Sequence, residues 1–464
     1  MHVALVALTL SACIPSIVVG DNPQDDSSST ATGGGTPTGA PTGGDTPTGA
    51  STGGDAPTGT TSEPLPGVCG DGVVDAGEAC DDGDADLDDG CAPDCTRVGV
   101  PLWTHTFDGP ASLLDRASAV AFHPDGRVVV VGSVFVEAEV RAGLVLMLDA
   151  SGAEVWKKLL PAQPGKQTSL YAVTIDDAGT IYAAGATIGL DQSIDIHAFD
   201  PAGGELWTFQ EPSPPDGAGL STSISELAVT ADALFSSGFE LVGPEGIALV
   251  GRRHQKDGGA VVWRTTTTGG APQADGVGLA VAGGNVVVVG HTFGFDEPGA
   301  RPIRAVFDET GGLQAVTVEA VTGAYGDVAA IGAGGDVVLV GFDEEDDVRR
   351  LVVRRLGPDG AEVWSQIDPL GVHGIEASGV AVGAGEEIVV TGSFPSSEHG
   401  IDMVTARFRG DGNLVWAATY DNEEAHAGDW AEKPAFGPDF VVVVGQQDTL
   451  TRDYDGWVRA YASE

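Results

Sequence analysis

Cysteine stops early in this chain. Five are present, Cys13, Cys69, Cys80, Cys91 and Cys95, and none follows Cys95 in a sequence of 464 residues. A large body held together by disulfides or by cysteine-ligated metal is therefore excluded for everything beyond that point. Basic residues are also scarce. No Lys or Arg precedes Arg97, while the same stretch carries 16 Asp and Glu, and the whole chain has 22 basic against 68 acidic residues, a formal charge of −46. Binding to phosphate backbones needs a Lys/Arg surface, so nucleic acid is excluded as a partner. The acidity fits a soluble, self-repelling surface that attracts cations or basic partners. No apolar run approaches the ~20 residues that span a bilayer as a helix. The H-E-x-x-H, G-x-S-x-G, P-loop and dinucleotide fingerprints are all missing, and with them the chemistries they carry.

What is present begins with an address. Residues 3–10 (VALVALTL) form a short apolar run, and residues 10–13 read Leu-Ser-Ala-Cys. The run suits a signal peptide. Leu-Ser-Ala-Cys resembles the bacterial lipobox, which implies lipidation at Cys13, a membrane attachment through lipid alone, and a location in the cell envelope at the outer membrane or cell surface. Lipid chains contribute about 0.8 kcal/mol per buried CH₂, and more than one gives stable anchoring. Residues 14–66 are dominated by Thr, Gly, Pro, Ala, Ser and Asp, with near-repeats such as TPTGAPTGGD and TPTGASTGGD. Such a composition buries almost nothing, so a disordered tether is expected. As a flexible coil its ~46 residues from 21 to 66 average roughly 35–40 Å end to end.

Residues 67–96 hold four of the five cysteines and read, from Cys69, CGDGVVDAGEACDDGDADLDDGCAPDC. So short a segment with so little apolar content cannot hold a fold by burial, so cross-links must do it. Cys69, Cys80, Cys91 and Cys95 are read as two disulfides, with three pairings open. A zinc site is the rival, but the spacings match no usual finger. The aspartates Asp71, Asp75, Asp81, Asp82 and Asp84 supply the oxygen ligands that Ca²⁺ requires; a solvated acidic knot without metal is the alternative. The segment resembles the myxobacterial cysteine-rich repeat over its whole length and all four cysteines.

The rest of the chain repeats. A Val-rich strand closing on glycine recurs at Gly132, Gly185, Gly238, Gly290, Gly341, Gly392 and Gly445, spaced by 51 to 53 residues. A tryptophan follows at Trp103, Trp156, Trp207, Trp263, Trp364 and Trp416, with Gln314 in the slot of the fourth unit. Each unit reads as four short strands, in the first at 118–122, 128–132, 143–149 and 154–159. Four strands per ~50 residues is the blade of a β-propeller. The last unit lacks its tryptophan strand, and the orphan PLWTHTF (101–107) is placed to supply it, closing the ring and removing an exposed edge. The fold class expected is all-β: a seven-bladed β-propeller over 98–464, preceded by a disordered linker and a small disulfide-rich module.

The repeated D-x-x-G-x-x-x-W, as in DASGAEVW (149–156), resembles the blade motif of quinoprotein propellers and of repeat lipoprotein propellers. Quinone enzymes carry a vicinal Cys-Cys beside the cofactor. With no cysteine after Cys95, neither quinone nor nucleotide is expected. The tryptophans are read as packing between neighbouring blades. The strand B–C connections, placed at 133–142 and its counterparts, and the D–A connections are expected to share one face of variable loops. There Asp343, Glu344, Glu345, Asp346 and Asp347, and the stretch 421–429, offer a cation or basic-ligand face, or simply a solvated acidic loop. His291 and His399 lie on the same side. The expected function is a monomeric binding or interaction scaffold for an extracellular protein or glycan. An envelope-assembly scaffold, and a propeller hydrolase or lyase acting on extracellular polysaccharide, are the alternatives.

Overall fold

The computed structural model describes residues 80–81, 91, 97, 99–160, 165–189, 192–212, 222–242, 246–293, 301–318, 324–332, 334–345, 348–396, 400–422, 428–450 and 453–463. Two units separate along the chain, Met1–Leu65 and Pro66–Glu464, and every described residue belongs to the second. Cys13, Cys69 and Cys95 lie outside the described residues. Cys80 and Cys91 are bonded to each other, with Cα atoms 5.8 Å apart.

Among the described residues the regular structure is entirely β: twenty-eight strands, β1 to β28 in chain order. They form five antiparallel four-stranded sheets and one eight-stranded sheet. The larger sheet is two such meanders joined by a single parallel pair, Arg141 with Gln167. The first strands of successive meanders are β2 (Arg116–Phe122), β6 (Gln167–Ile175), β10 (Glu226–Val229), β14 (Gln273–Ala282), β18 (Ala324–Ile331), β22 (Glu376–Val382) and β26 (Trp430–Phe436). Each packs beside the next, and β26 packs beside β2, so the circuit closes. Meanders stacked face to face around a shared line of innermost strands make a β-propeller. The orphan segment takes the place expected of it: β1 (Pro101–Phe107) pairs antiparallel with β28 (Tyr454–Ala462), completing the sheet of β26 and β27 (Phe440–Asp448).

Burial explains the sequence rhythm. The second strands lie between neighbouring sheets and are buried on both faces, as in β3 (Val128–Glu137), where eight successive residues are buried. A strand buried on both faces reads as a continuous apolar run. The fourth strands sit outermost and alternate, as in β5 (Glu154–Leu159), where Trp156 and Lys158 are the two covered residues.

The marker glycines do not end their strands, as the sequence reading had it. They lie in mid-strand, and all but Gly238 stand opposite an irregularity in the innermost strand: Gly132 pairs with Ala117, Gly185 with Leu170, Gly290 with Gly276, Gly341 with Gly326, Gly392 with Ala377 and Gly445 with Ala431, and the register shifts immediately afterwards. One extra residue bulges there, and the preceding carbonyl is driven towards the facing strand. A Cβ on Gly392 would lie 2.7 Å from the carbonyl oxygen of Glu376. Only glycine admits that approach. The strands then continue, so β3 reaches Glu137 and β4 (Val140–Leu148) begins three residues later. The connection placed at 133–142 is only residues 138–139.

Six tryptophans tie one meander to the next, five of them through a turn glycine and Trp416 through Gly99, just ahead of β1. Trp103 lies against Gly152, Trp156 against Gly203, Trp207 against Gly259, Trp263 against Gly311, Trp364 against Gly412 and Trp416 against Gly99. A Cβ on Gly152 would stand 2.6 Å from the Trp103 ring, and φ of +82° at Gly152 independently disfavours any side chain. Four of the indoles also donate to a carbonyl two residues before that glycine: Trp103 to Ala150 (3.0 Å), Trp156 to Pro201 (3.3 Å), Trp263 to Glu309 (2.9 Å) and Trp364 to Gly410 (2.9 Å). In the fourth meander the register position belongs to Ala315, paired with Val306. Gln314 is one residue off and turns back to Asp308 of its own turn at 2.6 Å.

Candidate functional site

The connections between second and third strands, and those between successive meanders, meet on one face. Asp115 N donates to the carbonyl of Tyr454 at 2.8 Å, and Gly374 N to that of Arg349 at 2.9 Å. Two buried aspartates fasten this face. Asp115 is 0% exposed and accepts from Phe135 N at 2.8 Å and from Gly109 N. Asp429, 2% exposed, accepts from Asn422 N at 2.7 Å and from Asp448 N at 2.9 Å. Each bends a connecting loop onto the scaffold by giving its buried amides an acceptor. Burial pushes the Asp115 carboxyl up to about 7, against the pull of its two amide donors, with Asp108 and Asp453 adding repulsion. Burial likewise raises Asp429 to about 6. Asp455 also rises to about 6, through burial and then the charges of Asp108 and Asp453.

These shifts fix a pH dependence. An acid whose pKa is raised by folding binds its proton more tightly folded than unfolded, so stability falls as pH rises through the folded pKa. Between pH 5 and pH 8 the unfolding free energy should drop by on the order of 2–4 kcal/mol, and Asp115→Asn should flatten much of that slope. Urea denaturation across this range checks it; equal slopes in the two proteins would remove Asp115 as the cause.

The sequence-selected acidic stretch is placed differently from a free loop. Asp343, Glu344 and Glu345 belong to β19 (Val337–Glu345), and β20 (Val348–Leu356) starts three residues later. Asp343 faces Arg350 across the ladder, with a 2.6 Å ion pair, and Glu344 is in register with Arg349. Asp346 and Asp347 lie outside the described residues, as does His399. His291 is buried in β15 (Asn285–Phe293), its Nδ1 3.5 Å from Asp275. In the cysteine segment Asp81 is described and partly buried, while Asp71, Asp75, Asp82 and Asp84 are not among the described residues. No three His, Cys, Asp or Glu converge on a metal-sized site among the described residues.

Two further clusters carry charge. At the centre of the ring, Lys433 of β26 reaches β6 and β10, donating to the carbonyls of Tyr171 (3.3 Å) and Ser225 (2.7 Å) and to Glu226 Oε2 (2.8 Å). It ties together strands far apart around the circuit. Its neighbour Glu432 pairs with Arg116 of β2, and burial raises the Glu432 pKa. The sequence offered one signal for this: an adjacent acid and base, Glu432 and Lys433, within an innermost strand. Elsewhere, Ser236 Oγ lies 2.9 Å from His254 Nε2, and His254 Nδ1 lies 2.9 Å from the Gly259 carbonyl. Both residues are 0% exposed, so this serine–histidine pair is closed to any substrate and acts in packing. Burial lowers His254 to about 4, keeping it neutral.

No family model matches the chain, and no curated protein matches it. Among solved structures it is similar to the polysaccharide lyase Uly1 (11% identity, TM-score 0.49, covering 75% of this chain and 90% of that one). It is also similar to the β-propeller domain of the Trilobed protease from Pyrococcus furiosus (11%, 0.46, 76% and 94%) and to Drosophila Semaphorin 2a (7%, 0.46, 78% and 76%).

Proposed function

We propose that this chain is a lipid-anchored, extracytoplasmic surface protein whose seven-bladed propeller is a binding scaffold for an extracellular protein or glycan. The observation that carries this reading is a contrast within the fold. Six of the blade junctions repeat one glycine–tryptophan lock, while the connections on one face vary from the two residues 138–139 to the thirteen residues 213–225. A rigid scaffold with variable loops on one face is how binding surfaces are built. The count of seven rests on seven marker glycines and on the closed circuit of innermost strands. The lipobox at Cys13 supports the anchor, and the composition of 14–66 supports a tether that holds the propeller off the membrane. The aspartates of the cysteine segment are assigned to Ca²⁺, which would stiffen the base of that tether.

Two measurements test the reading. Cys13→Ser should abolish incorporation of labelled fatty acid and move the protein from the membrane fraction to the soluble one; unchanged membrane association sinks the anchor. The purified protein should be retained on envelope or matrix material without generating new sugar ends. Release of new reducing or unsaturated ends would replace the scaffold reading with an enzymatic one.

A further inference from the structure

One blade junction breaks the series. In the outer strands, the tryptophan and the residue two places on face the following blade and are covered: Trp156 and Lys158, Trp207 and Phe209, Trp263 and Thr265, Trp364 and Gln366. The equivalents in β17 (Leu313–Val318) are Ala315 and Thr317, and both are exposed. The junction between the fourth and fifth blades is thus open at the place where the others hold an indole. Its lining carries a charge without a counterpart. Arg304 of β16 (Arg301–Asp308) is in register with Thr317, and its Nε is buried without a hydrogen-bond partner among the described residues. Burial alone accounts for the lowered Arg304 pKa, with no carboxylate acting against it. In a chain of net charge −46, a half-buried guanidinium left unpaired is out of keeping with its surroundings. Across the junction, Pro358 stands two residues before the turn glycine Gly360, where the other blades offer the carbonyl that accepts the indole N–H.

We propose that this junction is a docking slot for a tryptophan side chain of a protein partner, with a carboxylate of the same partner meeting Arg304. The proposal rests on the binding-scaffold reading and names its partner chemistry. The chain's own repeat defines the shape: six junctions hold an indole and one does not. Arg304 defines the charge, since a guanidinium is best satisfied by a carboxylate held in its plane. Residues 1–102 contain no Phe, Trp or Tyr, so that stretch does not supply the indole. A second copy is excluded as well, because all eight tryptophans lie in strands: the six at the blade junctions, Trp430 in β26 and Trp457, fully buried, in β28.

Saturation-transfer NMR on the whole protein tests this, with N-acetyl-tryptophan as the probe and N-acetyl-leucine as the control. The expected result is transfer to the indole protons and none to leucine. Ala315→Trp should fill the slot, abolish the transfer and raise the thermal midpoint, since it completes the seventh lock. Arg304→Gln should weaken the transfer by about tenfold, the loss expected for a charge-assisted hydrogen bond. Absence of transfer in the natural protein, equal transfer in Ala315→Trp, or a lowered midpoint in that variant overturns the slot. Transfer unaffected by Arg304→Gln overturns the carboxylate contact. A ligand held on the variable loops would still bind Ala315→Trp, so failure here is distinguishable from failure of the scaffold reading.

Discussion

Trp416→Ala is expected to lower the unfolding free energy by about 3–5 kcal/mol, the range for deleting a buried large aromatic side chain. Trp416 is 1% exposed, packs on Tyr461 with ring centroids 5.5 Å apart, and covers Gly99, whose Cβ would lie 2.6 Å from its ring. Gly99 N donates to the Ala417 carbonyl at 3.3 Å, so the ring also clamps the segment that leads into β1. The comparison with phenylalanine separates packing from hydrogen bonding. Trp416 Nε1 is buried without a hydrogen-bond partner among the described residues, so Trp416→Phe removes no bond and should cost less than about 1.5 kcal/mol. Trp364 donates to Gly410 at 2.9 Å, and Trp364→Phe should lose about 1 kcal/mol through that bond in addition to the lost packing. Denaturant midpoints at unchanged slope read these differences. A Trp416→Ala midpoint close to the natural one would mean that the locks are passengers on a ring held by its innermost strands.

How much of this was legible in the sequence depended on whether the cause was local. The glycine and tryptophan markers gave the period, and the period gave the four-stranded unit, because every unit meets the same neighbours. What the glycines do was not legible. They answer a bulge in a strand about 15 residues earlier, so they looked like strand ends, and the connections after them were drawn too long. Its order after Leu313 points to Gln314 for the fourth unit's slot, whereas the sheet register places Ala315 there. The acidic stretch from Asp343 looks like a free loop in the sequence because Arg350 comes opposite Asp343 only when the hairpin forms. Lys433 contacts residues more than 200 positions away, a separation no local pattern reports. Within the cysteine segment, composition called for cross-links, but only geometry distinguishes the Cys80–Cys91 pairing from its rivals.

A chain beginning at Ser112, and so lacking β1, should lose cooperative unfolding and associate through its exposed edge. β1 contributes more than its seven residues suggest. Phe107 is 5% exposed and joins the cluster of Val444, Val458 and Ala460, with Trp103 packed against it. Thr104 accepts from Arg459 Nε at 2.8 Å, and Trp103 locks the first blade through Ala150. Burying two aromatic side chains is worth about 1.5–3 kcal/mol each, and each net ladder hydrogen bond about 1 kcal/mol. Their sum is comparable with the 5–15 kcal/mol total stability of a typical domain. Removing β1 also strips the outer partner from β28, which keeps only its pairing with β27, and an exposed edge of nine residues recruits other chains. A circular permutant separates the loss of the strand from the loss of its covalent position. With residues 97–107 joined after Glu464 and the chain opened at Ser112, β1 returns as the fourth strand of its own meander, as in every other blade. That permutant should recover a single unfolding transition and remain monomeric. If the shortened chain already did both, closure by β1 would contribute little, and the ring would be held by the contacts of β26 with β2 and β22. If the permutant failed as well, the strand would depend on the chain that precedes it, and the Cys91–Arg97 bridge would be the place where that dependence enters.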